Sequence, residues 1–238
     1  MKTLEKLEKK IKIKFKNKDL LKQALIHRSY LNEHPKEKLV HNERLEFLGD
    51  AVIEFIVTEH LYKKYLENEG VLTSWRASLV NTNTLFEVAK EISLDEYIFL
   101  SRGESLSFFT KTKITILADA FEALVGAIYL DQGMTKTKNF IKKIIIKKLD
   151  RILKYKLYED PKSRLQEIAQ AENKITPNYK VLKEDGPDHD KKFTIGVFLG
   201  DSLIAKGIGG SKQEGSTKAA EAALKKHFIK VKNKSEKK

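Results

Sequence analysis

The sequence has no cysteine among its 238 residues and only four prolines. Without cysteine, the chain cannot contain a disulfide framework, a thiolate zinc site or a cysteine nucleophile, and it suits a reducing compartment. Long apolar runs are also lacking, since none approaches the roughly 18 residues of a membrane span. The lysine-rich residues 1–18 lack the uninterrupted apolar stretch of a signal peptide. We therefore expect a soluble cytoplasmic protein with no membrane partner.

Negative charge is scarce relative to positive charge. The 46 lysine and arginine residues outnumber the 33 aspartate and glutamate residues, which gives a net charge of +13. This excess favours a polyanionic partner, and charge alone does not choose between nucleic acid and an anionic membrane surface. A hydrophobic content of 41% supplies enough apolar surface for a buried core, in one large domain or two small ones.

The residue pattern changes once along the chain. Residues 4–156 show apolar residues at helical spacing, most clearly in 19–27, 45–66 and 84–91. The later pattern predicts a helix, three strands and an alanine-rich helix, at 162–172, about 179–183, 193–199, 202–208 and 218–227. Between the last two strands, Gly200 and Asp201 predict a tight hairpin turn with a positive φ at Gly200.

These patterns predict a mostly α protein with two domains. An all-helical domain is expected over residues 1–156 and a linker over 157–159. A small α-β-β-β-α domain is expected over 160–228, followed by a basic, disordered tail at 229–238 because that lysine run has no apolar face.

Glu43, Glu46 and Asp50 form the first cluster of acids. Their spacing of three and then four residues places all three carboxylates on one face of a helix, beside an apolar stripe of Leu45, Leu48, Val52 and Phe55. Like charges one turn apart repel by a few tenths of a kcal/mol, so the cluster opposes the helix unless a cation compensates. The simplest alternative is a solvated acidic face.

Asp119 and Glu122 form a second pair, within the otherwise apolar segment 116–130. A helix that is apolar all round is usually buried, and each buried carboxylate carries a desolvation cost of several kcal/mol. A lone buried acid is most often paired with arginine or lysine. If both acidic pairs converge, an oxygen-only ligand set suits Mg²⁺ or Mn²⁺, and with a basic surface it suggests phosphodiester hydrolysis.

The acidic segments occur in a recognisable order with two other motifs. Residues 42–50, together with 24–29, 76–81 and 117–123, resemble the ribonuclease III family. The resemblance implies an all-helical endonuclease domain that dimerises. It also implies that the metal ligands are Glu46, Asp119 and Glu122.

The same resemblance implies roles for three neighbouring residues and shows one departure. Asp50 would be a further essential acid, Glu43 an auxiliary residue that contacts RNA or positions the helix, and Phe47 part of the dimer interface. Relatives tend to have a glycine-rich basic loop where this chain has residues 104–109, including Phe108 and Phe109.

Residues 160–227 resemble a double-stranded-RNA-binding domain. Such a domain reads 2′-hydroxyls in two minor grooves and phosphates between them. The resemblance implies minor-groove contacts by Gln166, Glu167, Pro187 and His189, and phosphate contacts by Lys212 and Lys218. The alternative is an ordinary polar surface. Relatives commonly have a second basic residue where Gln213 stands, often a polar or basic residue at Ser216, and alanine where Gly215 stands.

Three lesser signals have structural explanations. Residues 210–216 superficially resemble a phosphate-binding loop, but the required lysine and preceding strand are missing, so we expect no nucleotide cofactor. Residues 136–156 interleave lysines with isoleucine and leucine, which predicts one buried and one solvated helix face rather than a calmodulin target or membrane-surface helix. We expect Trp75 and the other aromatic residues to lie in the core.

The sequence therefore predicts an endoribonuclease for double-stranded RNA that uses Mg²⁺, with Mn²⁺ as a substitute, and acts as a homodimer. The resemblance implies products with 5′-phosphate and 3′-hydroxyl ends, and roles in maturing ribosomal and messenger RNA. A binding-only protein that shields structured RNA is the main alternative. A DNA-binding protein or nuclease would explain the charge but not the 2′-hydroxyl-reading pattern.

Overall fold

The computed structural model describes residues 3–36, 40–103, 111–187 and 191–235. The chain divides into two compact units, Met1–Tyr158 and Glu159–Lys238. The division falls inside the segment 157–159, where we expected a linker.

The first unit is built from helices. Its α-helices are α1 (Leu4–Ile11), α2 (Lys18–Ala24), α3 (Arg28–Glu33), α4 (Glu43–Lys64), α5 (Glu69–Val80), α6 (Thr82–Glu91), α7 (Lys111–Ile144) and α8 (Leu149–Lys154). Short 3₁₀ turns lie at Leu94–Glu96 and Ile146–Lys148. The long helix α7 is broken at Gly133, whose φ of 76° is outside the helical region.

Asparagine side chains fix the starts of several helices. The side-chain oxygens of Asn17, Asn68 and Asn81 accept hydrogen bonds from the first-turn N–H groups of α2, α5 and α6, which otherwise lack partners within the helix. Helix α2 ends at Ala24, earlier than the predicted 19–27, because Ile26 forms an isolated parallel bridge with Phe99.

Helix α7 lies at the centre of the core, as its apolar composition predicted. Its residues between 116 and 128 are buried except at Asp119 and Glu122, which are partly exposed. Leu45 and Val52 of α4 are buried as expected. Residues 136–152 also have the predicted buried face, which consists of Phe140, Ile141, Ile145, Leu149 and Ile152.

The prediction that the aromatic residues lie in the core was wrong for several of them. Phe55, in the predicted apolar stripe of α4, has 57% of its surface exposed. Tyr62 of the same helix and Tyr155 are also exposed. Trp75 is buried as expected and makes edge contacts with the rings of Tyr65 and Tyr158.

The second unit has the predicted order of elements. Helix α9 (Pro161–Asn173) precedes β1 (Asn178–Asp185), β2 (Lys192–Leu199) and β3 (Ser202–Gly209), and α10 (Lys212–Ser235) follows. The strands form an antiparallel sheet in the order β1-β2-β3. Gly200 has a φ of +57° in the β2–β3 turn, as the hairpin geometry required. The core of this unit is formed by Leu165, Val197, Ala205, Ala219, Ala220, Ala223 and Leu224.

Helix α10 begins six residues before its predicted start at Lys218. The Ser211 hydroxyl accepts a hydrogen bond from the Glu214 N–H at 3.1 Å, and the Glu214 carboxylate accepts one from the Gly210 N–H at 2.9 Å. This arrangement resembles the capping box of a serine followed three residues later by glutamate. The helix continues to Ser235, into the range 229–238 where we expected disorder.

Gly215 stands inside α10 where it meets the sheet. A β-carbon added at this position would lie 2.6 Å from Cγ1 of Ile195 and 3.2 Å from the carbonyl oxygen of Phe193. The close approach of α10 to β2 therefore explains glycine in place of alanine, in spite of its cost of about 1 kcal/mol in a helix.

Within the described ranges, no helix is both long and apolar enough to cross a membrane.

Candidate metal centre and RNA-binding surface

The candidate metal centre lies where α4 crosses α7. Gly49 and Gly126 face each other at this crossing, and each lies against the backbone of the opposite helix. A β-carbon at Gly49 would overlap the carbonyl oxygen of Glu122, and one at Gly126 would overlap that of Leu45. The two backbones therefore touch, which brings acidic residues of both helices to one place.

Three of the four predicted core acids converge there. Glu46 of α4 and Asp119 and Glu122 of α7 each offer one carboxylate oxygen, and these three oxygens lie within 4.8 Å of one another. All three side chains are half-buried. Asp50 is on the same face of α4 but is exposed and stands outside this group of three.

The pKa values of the three acids reflect their burial and mutual repulsion. Burial, with the charges of Asp50, Asp119 and Glu46, raises the pKa of Glu122 to about 8. Burial raises the pKa of Asp119 to about 6. The pKa of Glu46 is also raised, first by burial and then by the charges of Asp119, Glu43 and Asp50.

The donor set fits a divalent metal ion. Among the residues that the structure describes, none of the three acids forms an ion pair with lysine, arginine or histidine. In these ranges no basic side chain therefore neutralises the three carboxylates. Three carboxylate oxygens without nitrogen or sulfur suit a hard cation such as Mg²⁺ or Mn²⁺.

We expect Glu122→Gln to stabilise the metal-free chain at pH 8. The pKa of Glu122 in the folded chain is about 8, above its usual value of 4.5, so the fold favours the neutral carboxyl group. The stabilisation by this neutral group is fully present below pH 4.5 and is lost as the pH rises through about 8. Glutamine keeps the neutral shape at every pH. The gain is on the order of 1 kcal/mol after solvent screening, or about 2–4 °C in Tm.

Thermal melting in EDTA at pH 8 and at pH 5 measures this effect, with wild type as the reference at each pH. A gain at pH 5 that equals or exceeds the gain at pH 8 would contradict the assigned repulsion.

Glu43 and Phe47 lie in the same part of α4 but outside the three-acid group. Glu43 pairs with Arg28, at 3.5 Å between Oε1 and Nη1, and its Oε2 is 3.8 Å from Nδ1 of His41. Phe47 has 81% of its surface exposed. It begins an exposed apolar stripe along α4 that also contains Phe55 and Tyr62, and the exposed Leu66 follows just beyond the end of the helix.

In the second unit, the predicted groove-reading residues face solvent where the structure describes them. Gln166 and Glu167 are exposed on α9, and Pro187 is exposed after β1. His189 lies outside the described residues, as do the loop residues 104–109. The hydroxyl of Ser216 is turned inward, because this residue is buried and donates to the carbonyl oxygen of Lys212 at 2.8 Å.

Both predicted phosphate-binding lysines are paired with glutamates. Nζ of Lys212 lies 3.3 Å from a carboxylate oxygen of Glu184, and Nζ of Lys218 lies 3.0 Å from one of Glu214. Sequence reasoning missed both glutamates. The i,i+4 spacing of Glu214 and Lys218 was the available signal for one, whereas Glu184 is distant in sequence and gave none.

We expect Lys212→Ala to weaken binding to every duplex RNA sequence alike and to lower the slope of log affinity against log salt by about one. The reason is the loss of one phosphate contact and of the counterion release that accompanies it. Titrations at several salt concentrations measure the slope. Lys206→Ala is the matched control, because Lys206 is exposed on β3 while its neighbours Ala205 and Gly207 face the helices. An unchanged slope would place the phosphate contact elsewhere.

Comparison with known proteins finds a matching family model for each of the two units. Residues 17–149 match the family model described as Ribonuclease-III-like, and residues 161–227 match that of the double-stranded RNA binding motif. Ribonuclease 3 from Borreliella burgdorferi is 45% identical over 223 residues, covering 93% of this chain and 90% of that protein. Ribonuclease 3 from Nitratiruptor sp. is 42% identical over 234 residues, covering 98% of this chain and 100% of that protein.

A solved structure supports the same likeness to ribonuclease III for the first unit. The nuclease domain of ribonuclease III from Campylobacter jejuni superposes with a TM-score of 0.55 at 40% identity, covering 61% of this chain and 97% of that one. That structure is described as flexible in a region involved in dimer formation.

The helical unit and the RNA-binding unit together define a nuclease that acts on double-stranded RNA. The chain belongs to the ribonuclease III family. The resemblance on which the sequence analysis relied is thereby confirmed, and the mostly α fold with a terminal α-β-β-β-α domain is confirmed with it.

Proposed function

We propose that this endoribonuclease uses Mg²⁺, with Mn²⁺ as a substitute, and leaves 5′-phosphate and 3′-hydroxyl ends. The observation that supports this most directly is the convergence of Glu46, Asp119 and Glu122 without a basic partner in the described ranges. We propose ribosomal RNA precursors and structured messenger RNA as its substrates.

Each acidic residue has a distinct part in this proposal. Glu46, Asp119 and Glu122 hold the ion, and Asp50 adds a further essential negative charge on the exposed side of the group. When bound, Mg²⁺ supplies a Lewis acid that polarises the phosphodiester and orients a water for in-line attack. The two helices hold the three ligands rigidly because their backbones touch at Gly49 and Gly126.

The RNA-binding surface complements this centre. Gln166, Glu167, Pro187 and His189 contact the minor grooves, and Lys212 and Lys218 contact phosphates after release from their glutamate partners. A-form duplexes present 2′-hydroxyls in a wide minor groove, so this set of contacts selects RNA over DNA.

We propose a homodimer in which Phe47 packs at the interface. The exposed apolar stripe from Phe47 to Tyr62 covers 15 residue steps, or roughly 22 Å of helix. A stripe of this kind on a soluble protein marks an interaction surface. A two-fold dimer would also supply two centres related as the strands of a duplex are related.

The decisive experiment is incubation of the full chain with matched double-stranded RNA, double-stranded DNA and single-stranded RNA in Mg²⁺, Mn²⁺, Ca²⁺ and EDTA. We expect cleavage of double-stranded RNA alone, in Mg²⁺ and Mn²⁺, and binding without turnover in Ca²⁺. The larger Ca²⁺ coordinates flexibly and relaxes the octahedral geometry around the ion.

Three results would contradict the proposal. Binding of double-stranded RNA without cleavage in any ion would favour the binding-only protein. Cleavage in EDTA would contradict the metal centre, and products with 3′-phosphate ends, read by end-labelling, would contradict the assigned chemistry.

A further inference from the structure

Arg28 pairs with Glu43, one helical turn before Glu46 on α4, and has no role in the reaction described so far. We propose that Arg28, oriented by Glu43, binds a phosphate of the RNA backbone next to the cleaved bond. This inference rests on the proposed function of the carboxylate centre, because it concerns the RNA strand that is cut there.

The backbone on either side of Arg28 is tied to the start of α4. The Asn42 N–H donates to the carbonyl oxygen of Ile26 at 2.9 Å, and the side-chain amide of the buried Asn42 donates to that of Ala24 at 3.4 Å. The His27 N–H donates to the carbonyl oxygen of Phe99 at 3.1 Å. The motif at residues 24–29 therefore holds Arg28 at a fixed position relative to the helix that carries Glu46.

Glu43 connects Arg28 with the carboxylate centre. It lies one helical turn before Glu46, and its charge contributes to the raised pKa of Glu46, so the two carboxylates are neighbours. Its Oε1 lies 3.5 Å from Nη1 of Arg28. Glu43 thus links the guanidinium of Arg28 to the turn of α4 that carries Glu46.

The family resemblance leaves two roles open for Glu43, contact with RNA or positioning of the helix. A carboxylate repels a phosphate, so direct contact with the backbone is unfavourable. If Glu43 instead orients the guanidinium of Arg28, the carboxylate itself does not have to contact the phosphate. In the proposed arrangement, Glu43 is a positioning residue and Arg28 contacts the substrate.

The side chain of Arg28 is suited to a second anionic partner. It has 71% of its surface exposed, and a guanidinium offers five N–H donors in a planar fork. One carboxylate at 3.5 Å does not use all of them. An exposed ion pair contributes little to stability, so a purely structural role for this arginine would be a weak one.

Steady-state cleavage of a short duplex RNA by the full chain in Mg²⁺, at several KCl concentrations, tests the proposal. For Arg28→Ala we expect KM to rise about tenfold, the loss of one charge-assisted hydrogen bond, while kcat stays within about twofold. The slope of log kcat/KM against log salt should fall by about one. Arg28→Lys should restore the slope, because the charge remains, but only part of the affinity.

The control is Arg151→Ala, which removes an exposed arginine of the same unit from α8. It should leave KM and the salt slope at wild-type values. If Arg28→Ala behaves like this control, or lowers Tm without moving KM or the slope, the proposal is overturned. If the wild-type chain does not cleave duplex RNA in Mg²⁺, the proposed function fails instead, and the two failures are thereby distinguished.

The part assigned to Glu43 has its own readout. Glu43→Ala should raise KM less than Arg28→Ala does, and the double variant should be no worse than Arg28→Ala alone. Additive effects of the two substitutions would mean that Glu43 acts independently of Arg28, which contradicts its positioning role.

Discussion

Glu122→Gln is expected to abolish cleavage of double-stranded RNA while duplex binding stays nearly intact. The substitution removes one of the three converging carboxylate charges and barely changes the shape of the side chain. Charge stabilisation by a metal ion supplies several kcal/mol in reactions of this kind, so the rate should fall by more than about a thousandfold. The predicted RNA-binding residues of the second unit and Arg28 of the first are all left unchanged by this substitution.

Single-turnover cleavage in Mg²⁺ and duplex binding by the same preparation measure the two parts of this prediction. Glu69→Gln is the control, because Glu69 is an exposed glutamate at the start of α5. Activity of Glu122→Gln within tenfold of wild type would disprove the metal assignment. Since the same variant is expected to melt at a higher temperature at pH 8, misfolding cannot explain a loss of activity that accompanies this gain.

Mixed dimers of one wild-type and one Glu122→Gln chain are expected to cut only one strand of a duplex. Within the described residues each chain holds one three-acid group, whereas a duplex has two strands of opposite polarity. One centre cannot face both cleaved bonds at once. A two-fold dimer supplies two centres with the required relation. Removing one of them should leave the other intact.

Two affinity tags, one on each kind of chain, allow the mixed dimer to be isolated. A denaturing gel with each RNA strand labelled in turn then counts cuts per strand, with doubly wild-type dimers carrying the same tags as the control. Cleavage of both strands at the wild-type rate would contradict the model in which each centre cuts one strand.

The composition of the candidate centre could be predicted from the sequence, but its three-dimensional arrangement could not. The spacing of Glu46 from Asp50, and of Asp119 from Glu122, identified the helix faces, because helical periodicity is a local property. That Asp50 stays outside the three-oxygen group depends on how α4 crosses α7, which is a long-range property. Phe55 was misplaced for a related reason, since apolar residues occupy both a buried and an exposed stripe of α4.

The second unit shows the same division between local and long-range features. The strands and the turn at Gly200 followed from alternation and turn chemistry. The start of α10 was misjudged because the capping spacing of Ser211 and Glu214 was overlooked, although it was visible in the sequence. The pairing of Lys212 with Glu184 joins residues on separate elements, and no local pattern indicates it.

The contact of α4 with α7 at Gly49 and Gly126 separates the stability of the fold from the geometry of the candidate metal centre, two properties that usually change together. Because the helices meet backbone to backbone at these two glycines, the separation of α4 and α7 beside Glu46 and Glu122 is fixed there by backbone contact. Ile56→Val should therefore cost about 1 kcal/mol of stability and leave the preference for one ionic radius over another unchanged. If the three acids hold an ion as proposed, we expect selectivity among ions of different size to respond to substitution of the two glycines more than to conservative changes elsewhere in the core.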